Sequence, residues 1–122
     1  MAHYLIEVGY TPEAWSAQVE AQANVVDRIM PALKACGGKL ESIYYTFGDS
    51  DLVAIIDVKT PEDAAAFALA VTSSGALRSY KTTQLLTVEQ GIASMKRAAE
   101  ARKVYAPPLT VSLVEQKTKT RS

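Results

Sequence analysis

Residues Leu52 to Ile56 read Leu-Val-Ala-Ile-Ile, with no polar side chain in the run. Successive side chains on a strand point to opposite faces, so a strand that is apolar throughout is covered on both. Just upstream, Tyr44-Tyr45-Thr46-Phe47 leads into Gly48-Asp49-Ser50, a set of turn-favouring residues. Residues 39–47 and 51–58 are therefore expected to pair as a hairpin. A chain of 122 residues is the size of one domain and supplies helices for one face of such a sheet. The simplest cover for the other face is a second copy of the chain. The bare face would carry Leu52 and Ile56, or Val53 and Ile55, depending on register. Either pair makes an apolar patch of the kind that marks interfaces. The competing expectation is a monomer whose third helix or tail folds over that face.

The rest of the chain supplies the partners of this hairpin. His3 to Tyr10 is expected to be a strand, with Tyr4, Ile6 and Val8 on one face and Leu5 on the other. Thr11-Pro12 is a cap followed by a first-turn proline. The apolar positions Val19, Ala23, Val26, Met30 and Leu33 recur at helical spacing. Pro31 removes the bond its N–H would make to Asp27, so a kink or two helical pieces meeting near Asn24 are expected. Gly37-Gly38 ends this helix. Thr60-Pro61-Glu62-Asp63 starts a second helix, running to about Ser74. Leu77 to Leu86 is a fourth strand with a polar centre. Thr87 with Gln90 forms a capping box and opens a third helix, to about Lys103, carrying Ile92, Met95 and Ala99 on one side. Pro107-Pro108 stops it, and Leu109 to Val114 is an edge strand or an arm. The expected fold class is α+β: a ferredoxin-like βαββαβ unit with a four-stranded antiparallel sheet. Residues 1–106 form one domain that includes the last helix, and 107–122 form a tail.

Composition narrows the function classes. Basic and acidic residues balance at 13 each, against the basic excess of a nucleic-acid binder, so no nucleic-acid partner is expected. No stretch approaches the roughly 20 apolar residues of a membrane span. One cysteine, Cys36, excludes an internal disulfide and suits a reducing cytoplasm. The first residues lack a basic flank and an apolar signal core, so a cytoplasmic location is expected. One histidine, one distant cysteine and no local carboxylate cluster argue against a metal, and no cofactor motif is present.

Candidate chemistry is sparse. His3 is the lone imidazole and a possible general base; with Asp57 and Tyr44 it makes the weak catalytic set. Asp57 interrupts an apolar strand, and a salt bridge to Lys81 or Arg78 is its bland explanation. Asp51, six residues earlier on the same face, is expected to fasten the hairpin through local N–H groups. The tyrosines Tyr4, Tyr44, Tyr45 and Tyr80 offer a ring plus a hydroxyl for a ligand, against a simple packing role. Tyr44 and Tyr45 point to opposite faces, so only one serves a given cavity. Arg78, Lys81 and Thr82 would hold an anion if the fourth strand lines a cleft, or discourage aggregation if it is an edge. Trp15 completes the expected ligand wall.

Several stretches occur together in order: Tyr10-Thr11-Pro12-Glu13-Ala14-Trp15, Gly37-Gly38-Lys39-Leu40-Glu41, Tyr45 to Asp51, and Lys81 to Glu89. In this the chain resembles the GYD-domain family of small bacterial and archaeal proteins, over about residues 3–108. The resemblance implies a ferredoxin-like fold of the dimeric α/β-barrel group and no assigned activity. Ser50 stands where many members have the tyrosine of the Gly-Tyr-Asp element, so any role for that phenol is missing here, while Gly48 and Asp51 are kept. The leading functional expectation is a homo-oligomer that binds an apolar or aromatic metabolite beside the sheet. The alternatives are a cofactor-independent acid–base enzyme (cyclase, isomerase or monooxygenase type) and a non-catalytic assembly module.

Overall fold

The computed structural model of the protein describes residues 1–109. All but the first residue of the expected strand or arm at Leu109–Val114, and most of the expected 107–122 tail, lie outside the described residues. Two compact units are present, Met1–Leu85 and a second beginning at Leu86.

The first unit runs β1 (Ala2–Tyr10), α1 (Pro12–Ala21), α2 (Val25–Ala35), β2 (Lys39–Tyr45), β3 (Leu52–Val58), α3 (Pro61–Thr72) and β4 (Leu77–Leu85). The four strands form one antiparallel sheet in the order β2-β3-β1-β4. This is the βαββαβ layout expected, with an extra break in the first crossover. Local chemistry sets the helix starts. Thr11 accepts from the Ala14 N–H and Thr60 from the Asp63 N–H, each followed by a first-turn proline. The Val19–Leu33 stripe is not one helix. Gln22 is left-handed (φ 52°) and ends α1, and the Asn24 side chain caps α2 by accepting from Val26 N–H. Val19 is consequently exposed, whereas Leu33 is wholly buried. Pro31 lies within α2 and does not end it. At the far end of α2, Gly37 takes φ +71°. Gly37 N–H donates to Lys34 O and Gly38 N–H to Leu33 O, which closes the helix in a Schellman turn.

Burial along β3 alternates without exception. Leu52, Ala54, Ile56 and Val58 join Tyr4, Ile6, Val8 and Tyr10 in the core, closed by Val25 and Leu33 of α2 and Ala64 and Phe67 of α3. The right-handed crossovers thus bring both main helices to one face. Register assigns the other face: Leu5 opposes Ile55 and Glu7 opposes Val53. Leu5, Val53 and Ile55 are half-buried and stand outside the core cluster. β2 and β4 are the sheet edges.

The second unit holds α4 (Val88–Arg102), opened by the expected capping box between Thr87 and Gln90. No residue of α4 is buried, and its expected apolar side, Ile92, Met95 and Ala99, is exposed.

Candidate functional site

A cavity of about 330 Å³ lies between the sheet and the helices α2 and α3. Its floor comes from Ile6 and Val8 of β1 and Leu52 and Ile56 of β3; Ile29 and Phe67 stand on the helical side. The space exists because small residues stand where the layers meet. Ala32, Ala54, Ala70 and Ala76 all line it, and each side chain ends at Cβ. Ligand cavities typically begin near 300 Å³ and are mostly apolar with a few placed polar groups.

The polar groups here are Tyr10, Arg28 and Ser74. Arg28 Nη2 donates to Tyr10 Oη at 3.3 Å and to Gln18 Oε1 at 2.9 Å. Burial raises the Tyr10 phenol above its ordinary pKa, and the Arg28 guanidinium offsets part of that rise. Ser74 spends its hydroxyl on Val71 O. Arg28 makes no ion pair among the described residues, so its cation is neutralised by no side-chain carboxylate there. An apolar chamber with an exposed guanidinium at its edge is suited to an amphipathic molecule bearing an anionic or hydrogen-bond-accepting group.

The opposite face of the sheet holds a second cluster. Asp57 is directly across from His3 in the β1–β3 register, and Asp57 Oδ1 is 2.5 Å from His3 Nδ1. Glu41 Oε2 is 3.3 Å from the same nitrogen. Register shifts between Leu40 and Ser42, so Glu41 is the extra residue of a β-bulge, a device that re-aims side chains. The sequence shows no local carboxylate cluster, yet pairing of three strands gathers two carboxylates around His3.

A third constellation is structural. Asp51 Oδ2 accepts from Tyr10 N–H at 2.8 Å, from Trp15 Nε1 at 3.2 Å and from Arg78 Nη2 at 3.3 Å. Asp51 therefore ties β1, α1 and β4 to the hairpin and is not confined to local N–H groups as expected. The Tyr10 N–H is the largest cause holding its pKa below the ordinary carboxylate value, with Trp15 and Arg78 adding to it.

The model of the GYD domain matches residues 4–103 of this chain. The chain belongs to the GYD-domain family. No curated protein is similar enough in sequence to count as a relative. Among solved structures, the chain is similar to MtbAldR, at 16% identity and TM-score 0.53, over 70% of this chain and 52% of that one. It therefore spans about half the length of that protein. It is also similar to the 5-chloro-2-hydroxyhydroquinone dehydrochlorinase TftG of Burkholderia phenoliruptrix AC1100 in complex with 2,5-dihydroxybenzoquinone. That match has 14% identity and TM-score 0.52, over 71% of this chain and 96% of that one. Both likenesses show a shared ferredoxin-like fold.

In this GYD-domain protein the residues expected at a site are scattered. Of the catalytic set, His3 and Asp57 meet, while Tyr44 pairs with Val53, about 13 Å along β3 from Asp57 at ordinary strand rise. Asp57 bonds neither Lys81 nor Arg78, because Arg78 reaches Asp51 instead. None of the expected ligand-wall residues Tyr4, Trp15, Tyr44, Tyr45, Arg78, Tyr80, Lys81 and Thr82 lines the cavity. Tyr4 is buried in the core, and Trp15 packs edge-on to Tyr10 with its other contact on Tyr45. Lys81 and Thr82 are exposed on the edge strand β4, the placement in which polar side chains discourage strand addition. Tyr80 is packed against the core, and burial pushes its phenol up to about 12. Its hydroxyl has no partner at hydrogen-bonding geometry; Thr82 is near enough to lower the pKa in part. Ser50, at the family's usual tyrosine position, offers its carbonyl to Thr46 Oγ1 at 2.6 Å. Arg28 and Tyr10 went unsignalled in the sequence, since a lone arginine on a helix and a tyrosine at a strand end read as ordinary surface and core. No helix among the described residues is long and apolar enough to cross a membrane.

Proposed function

We propose that this GYD-domain protein is a small cytoplasmic homo-oligomer that binds an apolar or aromatic metabolite between its sheet and α2/α3. The bound molecule carries a carboxylate or similar acceptor that pairs with Arg28. The observation that carries this reading is the exposed Arg28 guanidinium, hydrogen-bonded to Tyr10 and in no ion pair among the described residues, at the edge of an otherwise apolar cavity of about 330 Å³. The same fold accommodates 2,5-dihydroxybenzoquinone in TftG, which supports the size class of ligand and nothing more specific. His3 and Asp57, the candidates for acid–base chemistry, stand on the opposite sheet face, out of reach of a ligand held there. Binding is therefore favoured over acid–base turnover in this cavity.

The test is a titration with 2-naphthoate, an aromatic carboxylate, followed by calorimetry. A charge-assisted hydrogen bond contributes about 1.5–3 kcal/mol when shielded and less at an exposed cation, so Arg28→Met should weaken binding by up to about tenfold. Saturable wild-type binding that Arg28→Met weakens supports the reading. Absence of saturable binding, or equal affinity in the variant, contradicts it.

The outward sheet face is the proposed contact between copies. Leu5, Val53 and Ile55 form an apolar row there that no helix of the first unit takes into its core. Packing two such faces about a twofold axis removes both patches from water.

A further inference from the structure

We propose that His3, Glu41 and Asp57 form a binding site for a divalent first-row transition-metal ion, with Zn²⁺ as the representative ion. This inference is independent of the cavity. The three side chains come from adjacent strands, β1, β2 and β3, and their donor atoms all lie within 4.8 Å of one another. His3 Nδ1 is 3.3 Å from Glu41 Oε2 and 2.5 Å from Asp57 Oδ1. Ligands about 2.0–2.1 Å from a tetrahedral ion sit about 3.3 Å apart. The His3–Glu41 pair already has that spacing. The His3–Asp57 pair needs to open by less than about 1 Å, which a side-chain rotation supplies on fixed strands.

The donor set also selects the class of ion. One imidazole nitrogen and two carboxylate oxygens, with no thiolate, suit zinc and its first-row neighbours; Mg²⁺ and Ca²⁺ prefer all-oxygen shells. Two carboxylates neutralise the dication. Three protein ligands leave a fourth position for water. Lys39 stands opposite Asp57 across β2 and β3 yet forms no ion pair with it, so Asp57 is not held by that ammonium. In the single chain the His3 side chain is 32% exposed and Glu41 50%, at the end of the sheet face next to the Leu5–Ile55 pair. The bulge at Glu41 strengthens the assignment, because Glu41 falls between Leu40, opposite Ile56, and Ser42, opposite Ile55, with no cross-strand partner of its own, and its side chain reaches His3.

The experiment uses the full chain without an affinity tag, stripped with a chelator and titrated with ZnCl2 in competition with a chromophoric chelator. One ion per chain is expected. His3→Ala, Asp57→Asn and Glu41→Gln should each weaken binding at least about tenfold, while Cys36→Ser should leave it unchanged. Co²⁺ in place of Zn²⁺ should give visible absorption that His3→Ala abolishes. Glu41→Gln keeps shape at an exposed edge position, so it serves where another variant fails to fold, as judged by circular dichroism. Absence of a one-to-one complex overturns the assignment. So does unchanged affinity in folded Glu41→Gln and His3→Ala, or loss of binding in Cys36→Ser alone.

Discussion

At the scale of single residues, Asp51 and Tyr80 show opposite effects, hydrogen bonding in the first and burial in the second. Asp51 collects three donors from three elements, so its ionised form is favoured in the fold. A group whose folded pKa is depressed stabilises the protein above its unfolded pKa and ceases to do so as pH falls through the folded value. Asp51 therefore helps at neutral pH, and its contribution disappears in acid below the ordinary carboxylate value of 3.8. Asp51→Ala should cost about 2 kcal/mol at pH 7, measured by urea unfolding, and the gap from wild type should narrow on acidification. Tyr80 shifts the other way, to about 12, because burial disfavours the phenolate. Its effect is a loss of stability as pH rises from the ordinary value of 10.0 through the folded value. An ultraviolet titration should show a phenol ionising near 12, and that step should vanish in Tyr80→Phe. Since the hydroxyl has no partner at hydrogen-bonding geometry, this variant should be as stable as wild type or more so at pH 7.

At the scale of elements, the junction of α2 with β2 is the tightest point. A Cβ on Gly38 would come 2.6 Å from Leu33 Cδ1 and 3.0 Å from Val58 Cγ1. Leu33 and Val58 are both fully buried and have nowhere to retreat. Gly38→Ala should therefore destabilise the protein by about 1–3 kcal/mol in urea unfolding, by overpacking. The elements themselves were readable in the sequence because their signals are local. Thr11-Pro12, Thr60-Pro61 and Thr87–Gln90 mark helix starts through side-chain oxygens that satisfy nearby N–H groups, and Gly37 marks a stop through its positive φ. The Val19–Leu33 stripe gave a mixed message. Its spacing continues through Asn24, but Asn24 competes for the backbone and starts a new helix.

At the scale of the whole molecule, the unbroken apolar run of β3 divides between two environments. Leu52, Ala54 and Ile56 face the helices, while Val53 and Ile55 face away. If the outward face joins two copies, Ile55→Asp should convert a dimer to a folded monomer in light scattering at micromolar concentration. A wild-type monomer would remove that interface. The sites were far less legible than the fold because both depend on long-range register and volume. The cavity arises from alanines on separate elements, and no spacing in the chain aligns Ala32, Ala54 and Ala70. His3 stood out as the lone imidazole and Asp57 as the polar break in an apolar strand, but Glu41 joins them only through a bulge. The residues that did stand out, the tyrosines and the polar β4, are mostly core, edge and hairpin fittings.

The division of labour between the two sheet faces can be read directly from amide and methyl chemical shifts during a 2-naphthoate titration. Saturable changes should concentrate on Ile6, Ala54, Val71 and Arg28 and leave Leu5, Ile55 and His3 in place. Changes centred on Leu5 and Ile55, with the cavity residues unmoved, would contradict a ligand site beneath α2 and α3.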